Sequence, residues 1–186
     1  MLINNKKQIL VWQPFKNYST SIGQYLLNNK IFNESRFIFV QGPVPYLAKD
    51  VKEPDAEPGL GHTNWFPKRS TNYLKLLPIR NPYSRVVSQW KQALKNFKDI
   101  EFDEWLMIHS KQLIKFPVTK IYEYDELIRV EDIENELRKF DLFNEDYTFP
   151  HSNKSDIRND FELTQKQKDM IYYLHYSDFI EGEYEK

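Results

Sequence analysis

The sequence predicts an α/β protein: one domain over residues 1–186, with a central parallel sheet of about four to five strands flanked by helices. Three observations lead there. Short apolar runs rich in β-branched and aromatic residues recur along the chain, and most are followed by a segment with helical periodicity. The length of 186 residues suits one compact domain. A hydrophobic share of 40%, with 16% aromatic residues, supplies a core and excludes a disordered chain.

Gln8–Trp12 (QILVW) is a buried strand by its β-branched and aromatic content. Pro14–Ser19 is a polar turn, and Thr20–Asn29 a helix with Ser19 as N-cap and Ile22, Tyr25 and Leu26 on one face. Arg36–Gln41 (RFIFVQ) is a second strand. Gly42–Asn72 is rich in Pro and Gly without clear period, a length of loop that in a compact domain usually serves a function. Tyr73–Ile79 is a third strand, with a proline that marks its end or an edge position. Asn81 caps, and Pro82 opens, a helix that runs to about Phe97. Phe102–Ser110 is helical, Val118–Tyr124 a fourth strand, Glu131–Phe140 a helix with Ile133, Leu137 and Phe140 inward, and Thr164–Tyr176 the last helix. Trp12, Trp65, Trp90 and Trp105 read mainly as core residues, with Trp65 placed to border a ligand.

A net charge of −1 argues against a nucleic-acid partner. The distribution is more telling. Between His62 and Lys98 stand Lys68, Arg69, Lys75, Arg80, Arg85, Lys91, Lys95 and Lys98, with no acid among them. Such a block marks a local anion site or a solvated helix face. There is no cysteine, so disulfides and cysteine metal sites are excluded. The N-terminal apolar run is too short for a signal core or a membrane span, which points to a soluble, cytoplasmic protein without a membrane partner.

Ligands of parallel sheets bind beyond the carboxyl ends of the strands, so two strand-to-helix junctions stand out. The first is PFKNYSTSI (Pro14–Ile22). Lys16, the turn residues Asn17 and Tyr18, and the hydroxyls of Ser19, Thr20 and Ser21 surround a helix N-terminus, whose free N–H groups and dipole favour an anion. No Gly-x-x-x-x-Gly-Lys loop occurs in the chain. The second junction is IRNPYSRVVS (Ile79–Ser88). Arg80 ends a strand, and Ser88 lies two helical turns beyond the cap on the same side, so a guanidinium and a hydroxyl can hold one phosphate from two directions. Arg85 either joins them or pairs with a surface acid. Taken singly, each junction also reads as an ordinary capped helix and a structural salt bridge.

Together and in this order, the two stretches resemble the nucleotide-binding motifs of sulfotransferases. IRNPYSRVVS is similar to their 3′-phosphate motif, R-[DN]-P-x-x-R-x-x-S, and PFKNYSTSI to their 5′-phosphosulfate loop, P-K-x-x-x-T-S. The loop departs from that pattern at Phe15, inserted between proline and lysine, and at Tyr18, where a small residue is usual. FDEWL (Phe102–Leu106), YEYDEL (Tyr122–Leu127), HSNKS (His151–Ser155), Leu163–Thr164 and YSDF (Tyr176–Phe179) extend the resemblance to the carbohydrate sulfotransferases over most of the chain outside Gly42–Asn72.

The resemblance implies a P-loop-like domain that transfers the sulfuryl group of 3′-phosphoadenosine 5′-phosphosulfate (PAPS) to a hydroxyl, with no metal. It points to a carbohydrate acceptor. Lys16 would offset charge on the bridging oxygen. His62, in GHTNWF (Gly61–Phe66), would be the general base, since uronyl 2-O-sulfotransferases carry a histidine in a similar context and imidazole titrates near neutral pH. His151 and Glu57 are its rivals. Lys154 and Arg158 would contact phosphate from the segment that folds over the nucleotide in this family. His109 and His175 read as structural or surface residues. Two other readings stay open: a sulfotransferase-like protein that binds a nucleotide or sulfated ligand without chemistry, and a P-loop-like kinase.

Overall fold

The structure, a computed structural model, describes residues 2–4, 6–12, 14, 19–29, 56–57, 66–67, 72–96, 100–111, 117–150 and 161–186. Its frame is a four-stranded sheet of β1 (Leu2–Asn4), β2 (Ile9–Val11), β5 (Leu74–Ile79) and β6 (Glu126–Arg129), in that spatial order. A two-stranded antiparallel ribbon, β3 (Ala56–Glu57) and β4 (Phe66–Pro67), lies in the segment expected to be loop. The helices are α1 (Ser19–Asn28), α2 (Pro82–Asn96), α3 (Phe102–Lys111), α4 (Val118–Ile121), α5 (Ile133–Arg138), α6 (Gln165–Leu174) and α7 (Tyr176–Glu181), and a 3₁₀ turn at Val130–Asp132 leads into α5.

The mixed α/β class is as expected, but the sheet is smaller than expected. Among the described residues three strands are parallel, β2, β5 and β6, rather than four to five. The fourth strand of the sheet, β1, pairs antiparallel with β2 through a tight hairpin, in which Gln8 takes φ 55° and Asn4 Oδ1 accepts from Lys7 N–H at 2.9 Å. The expected strand at Arg36–Gln41 lies outside the described residues.

Alternation along the strands divides the core. Ile9, Val11, Leu76 and Ile128 face α1 and α5 and pack with Ile22, Tyr25, Leu26, Ile133 and Leu137. Leu10, Trp12 and Leu77 face the other way, against Tyr122, Tyr124 and Leu127. A further cluster joins α2, α3, α6 and α7 through Val86, Trp90, Phe102, Leu106, Ile171 and Phe179. Trp12 and Trp90 are core residues as expected, and Trp105 is half-buried against the third cluster.

Pro78 sits in a central strand at no cost to the ladder. Leu76 directs its carbonyl to β2, where it accepts from Trp12 N–H at 2.9 Å, so Pro78 points its missing N–H to the same side, past the last β2 residue. Lys75 on the opposite face is buried, and its ammonium meets Glu123 at 2.5 Å.

The fourth parallel strand was expected at Val118–Tyr124. Instead Val118–Ile121 forms α4, Tyr122–Asp125 runs on without regular structure, and Glu126–Arg129 takes the strand position. Tertiary bonding overrides β-propensity here: the buried Asp178 carboxylate accepts the N–H groups of Val118 and Thr119 at 3.1 and 3.0 Å and the Thr119 hydroxyl at 2.8 Å. The expected helix at Glu131–Phe140 is the 3₁₀ turn plus α5, with Ile133 and Leu137 buried and Phe140 partly buried against the same cluster. The last expected helix divides at His175, whose φ −121° and ψ 28° are not helical.

Leu76 joins the central strand to the larger core and is fully buried. Leu76→Ala should lower unfolding stability by about 2–5 kcal/mol, read as a reduced urea midpoint with an unchanged denaturant slope.

Candidate functional site

The two junctions singled out in the sequence leave the sheet at one edge. β2 and β5 are parallel neighbours, with Val11 opposite Leu76, so the chain after Trp12 and the chain after Ile79 both emerge at the carboxyl end. α1 opens beyond the first exit at Ser19, and α2 beyond the second at Pro82. Ser19 and Thr20 form the first turn of α1, and Ser21 is buried there and already engaged. Lys16, Asn17, Tyr18, His62, Lys154 and Arg158 lie outside the described residues, as do His151 and Trp65.

The second junction is built as its sequence requires. Asn81 Oδ1 accepts from the N–H of Tyr83 at 3.0 Å and of Ser84 at 3.4 Å, and Pro82 takes the first helical position. Arg80 is half-buried at the end of β5 and engaged, and Ser88 is half-buried on α2. Two residues not anticipated from sequence meet the backbone on either side of Arg80. Glu131 Oε1 accepts from Asn81 N–H at 2.8 Å, and Glu131 Oε2 accepts from the Tyr184 hydroxyl at 2.8 Å. Tyr184 OH also lies 3.2 Å from the Ile79 carbonyl. Burial and then the negative charge of Glu131 push the Tyr184 phenol far above its ordinary range, so it stays a neutral donor. The position of a glutamate two residues past a strand gave no signal that it would reach across to a neighbouring helix cap.

Arg85 neither joins Arg80 and Ser88 nor pairs with a surface acid. It is buried, and its Nη2 donates to Asp178 Oδ2 at 2.6 Å and lies 3.0 Å from His175 Nδ1. Burial alone would raise the Asp178 pKa, but the Arg85 charge and the hydrogen bonds from Thr119 and Arg85 outweigh it, and the carboxyl titrates below its ordinary range. His175 is buried and structural, as the sequence reading allowed. The basic block is thus divided: Lys75 and Arg85 are neutralised internally by Glu123 and Asp178, while Arg80 stands at the sheet edge.

Among the described residues, no group of three His, Asp or Glu side chains is arranged to hold a metal ion, and no helix is long and apolar enough to cross a membrane. No family model, curated protein or solved structure matches the chain.

Because the folded Asp178 pKa lies below its unfolded value, its stabilising contribution is complete above the unfolded carboxyl pKa of about 3.9 and is lost as pH falls through the folded value. Asp178→Asn should cost about 3–5 kcal/mol at neutral pH, because it leaves the Arg85 charge buried without its partner. It should also flatten the acid limb of stability against pH, measured by chemical unfolding between about pH 3 and 7.

Proposed function

We propose that the protein is a PAPS-dependent O-sulfotransferase with a P-loop-like domain, acting on a hydroxyl acceptor, with a carbohydrate as the leading class. One observation carries the reading beyond the sequence. The two motif-bearing junctions follow adjacent parallel strands and therefore open at the same edge of the sheet, where one bisphosphate nucleotide could meet both.

The roles follow from charge and position. Arg80 and Ser88 take the 3′-phosphate, the guanidinium by a paired hydrogen bond and the hydroxyl by a single one. Residues 16–21 take the 5′-phosphosulfate, and Lys154 and Arg158 cover the nucleotide. The acceptor oxygen attacks sulfur in line with the bridging oxygen. As the new S–O bond forms, the bond from sulfur to that oxygen breaks, and its electron pair leaves with adenosine 3′,5′-bisphosphate. His62 takes the hydroxyl proton, and Lys16 offsets the charge on the departing oxygen. This chemistry calls for no metal. The buried Arg85–Asp178 pair supports the reading indirectly, since it fixes the helix that carries Ser88.

Calorimetric titration with adenosine 3′,5′-bisphosphate, beside ATP and 5′-AMP, tests the assignment. Binding should require the 3′-phosphate, and Arg80→Ala should weaken it by about 2 kcal/mol. A preference for ATP with Mg²⁺ would favour a kinase instead.

His62→Ala should leave nucleotide affinity nearly unchanged while slowing sulfuryl transfer by about 10²–10⁴-fold. Full activity in that variant would remove His62 from the mechanism, and tight binding without transfer to any of a broad panel of hydroxyl acceptors would favour a non-catalytic binding protein.

A further inference from the structure

The carboxylate at the second junction is out of place beside an anion site. Glu131 is exposed, yet both of its oxygens are committed: Oε1 to Asn81 N–H, the residue next to Arg80, and Oε2 to the Tyr184 hydroxyl. No helix cap requires this, because Asn81 Oδ1 already serves the first turn of α2 through Tyr83 and Ser84. The C-terminal tail holds the arrangement from outside. Glu183 adopts φ 54°, Tyr184 N–H returns to the Phe179 carbonyl at 2.9 Å, and the Tyr184 ring closes on Gly182.

We propose that Glu131 is a built-in anion at the mouth of the Arg80–Ser88 site that weakens nucleotide binding and hastens release of the bisphosphate product. The inference rests on the sulfotransferase reading, since it assigns the 3′-phosphate to Arg80 and Ser88. Its physics is simple. A carboxylate hydrogen-bonded to the backbone of the residue beside Arg80 repels an incoming phosphate and competes for the positive end of α2. Glu131 is solvent-exposed, so the repulsion is moderate and screened by salt. It lowers affinity without abolishing it. A transferase whose product carries the same 3′-phosphate as its substrate turns over only as fast as that product leaves, and a nearby negative charge acts on this step.

The test is titration of wild type, Glu131→Gln and Tyr184→Phe with adenosine 3′,5′-bisphosphate at low and at high salt, with release rates from stopped-flow displacement. Glutamine keeps the size of the side chain and an acceptor for Asn81 N–H while removing the charge. Affinity in Glu131→Gln should rise about three- to tenfold at low salt, mostly through slower release, and the gain should shrink at high salt. Tyr184→Phe keeps the charge and should stay within about twofold of wild type. Equal affinities in wild type and Glu131→Gln, or weaker binding in the variant, overturn this inference while leaving the sulfotransferase reading intact. A gain in Tyr184→Phe as large as in Glu131→Gln also overturns it, because release of the tail rather than charge would then be the cause. Absence of binding in all three proteins overturns both. Binding by Glu131→Gln alone supports both.

Discussion

The buried ion pair between Arg85 and Asp178 is the constraint on which the helical half of the molecule depends. Asp178 accepts four hydrogen bonds, from Arg85, from two backbone N–H groups of α4 and from the Thr119 hydroxyl, and so ties together α2, α4 and the last helix. Removing two charges from water is costly, and hydrogen bonds to the buried groups offset part of that cost. The carboxylate draws such bonds from α4, which is why Val118–Ile121 coils into a helical turn despite a composition that favours a strand. His175 Nδ1 lies 3.0 Å from the same guanidinium nitrogen, Nη2, that donates to Asp178, and the break between α6 and α7 falls at this residue. One interaction thus accounts for two departures from what local sequence preference would give.

The sheet and the ion pair together set what the carboxyl edge can offer. Parallel pairing of β2 with β5 brings both junctions to one side. Internal pairing removes Lys75 and Arg85 from the pool of cations that a ligand could use. Among the described residues, the second junction carries Arg80, Ser88 and Glu131, so acid as well as base stands there. Selectivity at such an edge would come from the placement of a few groups rather than from a broad positive surface.

Much of the frame was legible because it rests on local rules. The apolar runs in Gln8–Trp12 and Tyr73–Ile79, and the Asn81-Pro82 start of α2, are read from neighbouring residues and recur in the structure. Thr164 and Gln167 form a reciprocal capping box that the same reading could have recognised from their spacing of three. The displaced fourth strand was not legible, because the residue that decides it, Asp178, lies about sixty positions away in the sequence. Glu131 and Tyr184 escaped notice for the same reason: their partners Asn81 and Ile79 are distant in sequence, the first brought near by the pairing of β5 with β6 and the second by the tail beyond α7. At the candidate site, the second junction was legible as a cap and an exit from the sheet. The direction taken by Arg85 was not, since a basic residue on a helix carries no local mark of the face it will occupy.

The spacing within Ile79–Ser88 gains a meaning from this division. A helix turns about 100° per residue, so Asn81 and Ser88 lie on nearly the same side of α2, with Arg85 roughly 60° away from Ser88. That offset is enough to send the guanidinium into the core while Ser88 stays half-buried near the flank that begins at the sheet edge. Arg85 therefore anchors the helix, and the anchor fixes how Ser88 is presented relative to Arg80, which the strand holds. Losing this arginine would leave Asp178 buried without its ionic partner and free the helix that carries Ser88. Two arginines and a serine at fixed intervals then describe one residue at the end of a strand, one buried anchor and one hydroxyl on the helix that the anchor holds. The pattern carries more information than any of its members because its spacing encodes the division between the core and the edge.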